Sequence, residues 1–422
     1  MSDTYSKFRN EVMAGGTDNP DDSGGQQTAG GPRAVVGLTV IIGLLVALYL
    51  WSPWAFIFVV GLLISIFLHE LGHFVTARWT GMKATQFFLF MGPKLWSFRR
   101  GETEYGLRAY PVGAFVRIIG MNNLDEVEPA DEARAYRNKS YPRRLLVITA
   151  GSLMHMLIAV ALLFGVYAVS GKRVETHRVG IGSLESGFPA EQAGVKAGDI
   201  IVSIDGVHPT TPDQFVTQIR SHKPGDAVTL VLERDGSTLT KVVGLGANPT
   251  PGEGFGKAFL GVSSGSEVVW NNESVARAAG DSLFDLGPAM WQSVGGVVKV
   301  LNPVNIFGHL TGSNNDLNTR PTTVVGISKL SASIGDEAGF AGLLLTLAGV
   351  NVFVGLLNLF PVLPFDGGHA AIATYERLRS RRGKAPYRAD ITKMIPVAMT
   401  MIALLAMLFI TGLYLDITKP LR

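Results

Sequence analysis

Residues 54 to 75 read WAFIFVVGLLISIFLHELGHFV. The run has about the 20 residues a helix needs to cross the hydrocarbon core of a bilayer. Its only formally charged residue is Glu70, and it carries His69, Glu70 and His73 as H-E-x-x-H. On a helix the two histidines fall one turn apart on one face and can bind one zinc ion. Glu70 beside them can act as general base on the metal-bound water. An ionisable side chain at such depth is costly and is therefore read as functional. The bland alternative, a helix end whose His and Glu reach back to the interface, leaves the spacing unexplained.

Four further apolar runs have similar length: Ala34 to Trp51, Leu145 to Val169, Phe340 to Phe360 and Met394 to Leu415. Hydrophobic residues make up 47% of the 422-residue chain and charged residues 17%, so the composition is that of a membrane protein and not of three soluble domains. With no cysteine, a disulfide framework, a thiol nucleophile and a thiolate metal site are excluded, which leaves His, Asp and Glu as metal ligands. Ala34 to Trp51 ends in YLWSPWAF without a small-residue cleavage site and runs directly into the next span. It is therefore read as half of an uncleaved helical hairpin, not as a signal peptide. Residues 1–33, rich in Gly, Asp, Ser and Gln, are expected to be a disordered cytoplasmic tail.

Lys and Arg concentrate between the second and third runs, from Arg78 to Arg144, and between the fourth and fifth, from Arg377 through Arg381, Arg382 and Lys384 to Lys393. Positive loops stay cytoplasmic. This orientation puts the N-terminus inside and the segment from about Ser170 to Gly339 outside. Within that segment, residues 178–246 show short alternating strands and Asp-Gly turns, the pattern of a small β-rich domain. Residues 255–337 are expected to be an amphipathic connector, its helices lying on the membrane surface in preference to forming a sixth span. No like-charge block suits nucleic acid, which is disfavoured as a partner.

Two histidines leave a catalytic zinc short of one protein ligand. The fourth run ends NVFVGLLNLFPVLPFDGGH, broken at Pro361 and Pro364 and followed by Asp366, Gly367 and Gly368. Broken backbone at membrane depth needs a protein-lined or wet cavity. The run enters from outside, so Asp366 lies toward the cytoplasmic side, where His69 and His73 also fall. Asp366 is thus expected to be the third ligand, ahead of its bland reading as a helix cap. His369 is a weaker competitor or a group behind the ligands. Asn358, one turn before Pro361, is expected to hold the unwound segment or a substrate backbone, with Pro361 and Gly367 as supporting residues.

H-E-x-x-H in one membrane helix, with the later N-x-x-P-x-x-P-x-D-G-G from Asn358 to Gly368, resembles the site-2 protease family of intramembrane zinc metalloproteases. The stretch from Gly81 to Met121 is similar to that family's cytoplasmic loop, which dips back as β-strands. FPAEQAGVKAGDIIVSIDG from Phe188 resembles the PDZ domain of the bacterial members, and RPTTVVGISKL from Arg320 the segment before their third core helix. The likeness covers about residues 54 to 416. It implies Zn2+ held by His69, His73 and Asp366, Glu70 as catalytic base, and cleavage in or near the transmembrane helix of a single-span regulatory protein, typically a trimmed anti-sigma factor. Ser152 and His155 stand where many bacterial members have Pro and Asn, so His155 is read either as an extra polar group in the cavity or as a satisfied core residue. The leading helix, residues 34–51, is also extra to the core fold.

The expected architecture is a polytopic α-helical membrane protein of about five transmembrane helices in a bacterial inner or plasma membrane. A cytoplasmic membrane-associated β-loop at 81–144 lies within the first half of the peptidase core, residues 54–169. One extracytoplasmic PDZ-like β-rich domain follows at 178–246, and the second half of the core spans 340–416. Two other classes compete. A transporter predicts inverted repeats, and none is visible; an inactive membrane scaffold is disfavoured by the intact His69, Glu70, His73 and Asp366.

Overall fold

The computed structural model describes residues 32–121, 125–249, 254–314, 316–380 and 386–420. All but the last two residues of the expected tail lie outside them, as do Arg381, Arg382 and Lys384 of the second basic loop. The chain forms two compact units, Tyr167–Val275 being one and the chain on either side of it the other.

The larger unit opens with helices α1 (Pro32–Trp51) and α2 (Pro53–Trp79). The Ser52 hydroxyl accepts from the Ala55 amide at 3.2 Å and Pro53 occupies the first turn, so the hairpin bend is also the N-cap of α2. Strands β1 (Ala84–Arg100) and β2 (Thr103–Ile118) follow, then α3 (Tyr141–Ser170). The two strands pair antiparallel, but each is bent. Phe87 faces both Tyr105 and Val116, and Phe98 faces Tyr105 in turn, so the pair makes a sheet of four segments with 114–118 along one edge. Phe87, Ile118 and Met82 pack with Phe74 of α2 and with Val147 and Ile148 of α3, which fastens this sheet to both helices.

Beyond the smaller unit, whose single longer helix is α4 (Pro212–Arg220), come α5 (Val275–Val300), α6 (Pro303–Thr311), α7 (Val324–Asn358), α8 (Asp366–Arg379) and α9 (Ile395–Thr418). Among the described residues five helices are long and apolar enough to cross a membrane: Ala34–Trp51, Pro53–Trp79, Tyr141–Ser170, Val324–Asn358 and Ile391–Thr418. Val275–Val300, with Pro288 inside it, is not one of them. The fourth begins earlier than the apolar run at Phe340, because a first helical piece carrying Lys329, Asp336 and Glu337 precedes a break at Gly339 (φ 62°, ψ −156°).

The smaller unit is a five-stranded antiparallel sheet in the order β6-β5-β4-β3-β7, built from β3 (Lys172–Leu184), β4 (Ile200–Ile204), β5 (Ala227–Arg234), β6 (Ser237–Gly244) and β7 (Val262–Asn271). Its core gathers Val179, Ile201, Ile204, Val228, Leu230 and Leu232 with Phe215 of α4. Asp205-Gly206 and Asp235-Gly236 have positive φ throughout (49°, 82°, 50°, 75°), which is the conformation of the tight turns expected there. The sheet corrects the boundary read from sequence. Residues 262–271, assigned to the connector, are its edge strand, and β3 starts at Lys172. Serines and glycine alternate poorly with apolar residues in 262–271, so the period-2 signal is weak.

Asp199, 1% exposed, receives two hydrogen bonds from Arg234, at 2.6 and 2.7 Å, and one from the Lys196 amide at 2.8 Å. Burial opposes its charge, but these donors outweigh it and hold the carboxyl below the ordinary carboxylate range. Its stabilising contribution is therefore present above pH about 4 and is lost as pH falls through the lowered folded value. Asp199→Asn should cost about 2 kcal/mol. Hydrogen exchange of the β4 and β5 amides in the full-length protein would then run roughly 30-fold faster at pH 7; unchanged protection would show the pair to be energetically idle.

Candidate metal centre

His69 and His73, one turn apart on α2, bring their Nε2 atoms within 3.1 Å of each other. Asp366, the first residue of α8, places Oδ2 at 3.3 Å from His69 Nε2 and 3.2 Å from His73 Nε2. Ligands about 2.05 Å from a tetrahedral zinc lie roughly 3.3 Å from one another, so the three atoms fit that ion. Two further features suit it. His73 donates from Nδ1 to the Val147 carbonyl at 2.7 Å, which fixes the tautomer that leaves Nε2 as an electron-pair donor. Among the described residues Asp366 Oδ2 has no hydrogen-bond partner.

Close helix approach brings the donors together. Gly72 faces the Ala150 carbonyl of α3, where a Cβ would lie 2.9 Å away, and Gly151 faces both histidine rings. After α7 the chain turns through Leu359 to Phe365, with a cis Leu363-Pro364 bond, and folds back on the start of α8. A Cβ at Gly367 would lie 2.1 Å from the Leu359 carbonyl oxygen, so the D-G-G sequence is what lets this loop present Asp366.

Glu70, half-buried, accepts from the Val116 amide at 3.1 Å through Oε2. Glu70, His73 and Asp366 line a cavity of about 250 Å³ together with Ala114, Phe115 and Val116 of the β2 edge segment and with Pro364 and His369. His155 is buried and donates from Nδ1 to Asn351 Oδ1 at 2.8 Å, and its ring centroid is 5.0 Å from that of His69. Since an amide oxygen only accepts, His155 Nδ1 carries the proton. Among the described residues His69 Nδ1 is buried without a hydrogen-bond partner, and His155 and Gly151 pack against the His69 ring.

Of the residues expected from sequence, His69, His73 and Asp366 bring donor atoms together in a group that could hold a metal ion, and Glu70 lines the adjoining cavity with His73 and Asp366. Asn358 ends α7 half-buried, Pro361 is exposed in the loop, and neither lines that cavity; Gly367 is buried beneath Asp366. His369 lines the cavity but stands outside the group that could hold a metal ion. Sequence reading missed Gly151, the Val147 carbonyl and the Val116 amide. The last two are backbone groups, which residue identity does not reveal.

Residues 57–404 match peptidase family M50. The chain belongs to that family. As an M50 peptidase it is a zinc metalloprotease of the site-2 type with a protein substrate, and the five long apolar helices among the described residues point to a membrane protein. It is similar to the zinc metalloprotease Rip1 of Mycobacterium tuberculosis, 30% identical over 87% of this chain and 97% of that one. The Rip1 of Mycolicibacterium smegmatis is 31% identical, covering 86% and 97%. Among solved structures, the PDZ domain of an SdrC-like protein from Listeria monocytogenes is 25% identical over 22% of this chain and 90% of its own, with a TM-score of 0.19.

Proposed function

We propose that this M50 peptidase cuts a peptide bond in or near the transmembrane helix of a single-span regulatory protein such as an anti-sigma factor, with zinc held by His69, His73 and Asp366 and with Glu70 as general base. The convergence of two Nε2 atoms and one carboxylate oxygen within 3.1 to 3.3 Å carries the reading. Zinc bound there would supply a Lewis acid and lower the pKa of a water. Glu70 takes the proton of the attacking water and returns it to the leaving amine, and the Val116 amide holds Glu70 Oε2 in place during both transfers. Co-expression with tagged single-span substrates, parent against Glu70→Gln, tests the assignment. Equal cleavage by both would overturn it.

A membrane helix offers no extended peptide, so the substrate must unwind before it can be cut. The 114–118 segment is an edge of its sheet and borders the cavity, a position that suits pairing with an unwound substrate strand. Charge substitutions through 104–116 should therefore lower cleavage in folded protein; unchanged rates would remove the strand from the mechanism.

The positive loops support a cytoplasmic N-terminus with the β-rich unit outside, where it acts as a size filter that admits substrates already trimmed. Lys172 faces Asn271 across β3 and β7, so the unit leaves and returns at neighbouring points and residues 172–271 can be replaced by a short linker. That variant should cleave untrimmed substrate. Continued dependence on prior trimming would count against the filter.

A further inference from the structure

A cavity of about 530 Å³ lies where the start of α3 meets the far end of α8 and residues 386–388. Five cationic side chains line it, Arg137, Lys139, Arg144, Arg377 and Arg388, against one carboxylate, Glu376. Their existing partners do not balance this charge. Arg137 is committed to Glu132 through two hydrogen bonds of 2.9 and 2.7 Å. Arg144 and Arg388 share Glu376, at 2.8 and 3.8 Å. Arg144 is 7% exposed, and among the described residues its Nε is buried without a hydrogen-bond partner. Lys139 and Arg377 have no carboxylate partner among the described residues.

We propose that this cavity binds a phosphate group, gripped by Lys139, Arg377 and Arg388 over the buried Arg144. Arginine clusters recognise tetrahedral oxyanions through paired N–H donors, and a desolvated cationic pocket at the end of a membrane helix suits an anionic headgroup. Burial, with Arg143 and Arg134 nearby, pushes Lys139 below its ordinary pKa. Burial likewise lowers Arg388, and the neighbouring Arg144 and Arg137 outweigh part of the help from Glu376. An anion in the cavity would relieve both. Tyr141, the first residue of α3, lines the cavity, and Leu146, one turn further along this candidate span, is 44% exposed. A lipid phosphodiester and a free phosphate present the same chemistry to these groups. Either would tie α8, whose first residue is Asp366, to α3.

The test compares full-length parent protein with the double variant Lys139→Gln, Arg377→Gln. Both sites are at least partly exposed, so the fold should persist, and circular dichroism checks that it does. One arm titrates delipidated protein in detergent with inorganic phosphate. The other places it in phosphatidylcholine nanodiscs with and without phosphatidylglycerol and measures retained lipid by native mass spectrometry. Binding by the parent, weakened at least tenfold in the double variant and restored by Lys139→Arg with Arg377→Lys, is the expected result. Response to inorganic phosphate identifies a soluble ligand, and response to phosphatidylglycerol alone identifies a headgroup. Binding of neither probe overturns the proposal. So does equal binding by parent and double variant, or an equal loss on removing the same charge at Arg99→Gln, Arg100→Gln.

Discussion

Glu70→Gln is expected to lower cleavage by about 10²- to 10⁴-fold, the range for loss of a general base, while the protein still binds one zinc per chain. The two readouts separate because the proposed metal donors are His69 Nε2, His73 Nε2 and Asp366 Oδ2, with Glu70 outside that group. A glutamine is nearly the same size, and its amide oxygen can still accept from the Val116 amide, so the approach of β2 to α2 should survive. What is lost is the ability to take a proton. His69→Ala, His73→Ala and Asp366→Ala should instead lose zinc and cleavage together. Metal analysis of purified protein beside the cleavage assay decides the matter. Zinc loss in Glu70→Gln would make Glu70 a ligand, and cleavage at the parent's rate would remove it from the chemistry.

The parts legible in sequence are those encoded by local spacing. H-E-x-x-H needs only helical periodicity to bring His69 and His73 together. Asp366, nearly 300 residues on, was reachable because the broken run at Pro361 to Asp366 and the direction of each span independently set its depth. Three features were not legible, each for a physical reason. The edge strand 262–271 lacks alternation, because little of it is buried. The first piece of α7 carries charge and is cut from the apolar run by Gly339. Gly151 looks like any other glycine in an apolar helix, since its importance lies in what the neighbouring helix brings against it.

Gly151→Ala should therefore weaken zinc binding by 10- to 100-fold or more, the scale seen when groups behind a metal's ligands are disturbed, and cleavage should fall in step. A Cβ at residue 151 would lie 2.4 Å from His69 Cε1, 2.5 Å from His73 Nε2 and 2.6 Å from His69 Nδ1. Those are atoms of the rings that carry the donors, not the tips of flexible chains, and His73 is further held by its bond to the Val147 carbonyl on the same helix as Gly151. Relief requires either the rings or the α2–α3 spacing to move by several tenths of an ångström, beyond the roughly 0.2 Å that a metal site tolerates in its ligand distances. Helix propensity works in the opposite direction, because alanine is favoured over glycine by up to about 1 kcal/mol in a helix interior. Gly165→Ala isolates that effect: it lies on α3 with open space where its Cβ would go, and it should keep zinc and activity. A Gly151→Ala protein with parental helicity and detergent elution, full zinc and full cleavage would show that α3 does not press on the histidines as described. Loss of zinc confined to Gly151→Ala would show that the missing methyl group at this position is a condition for the metal centre.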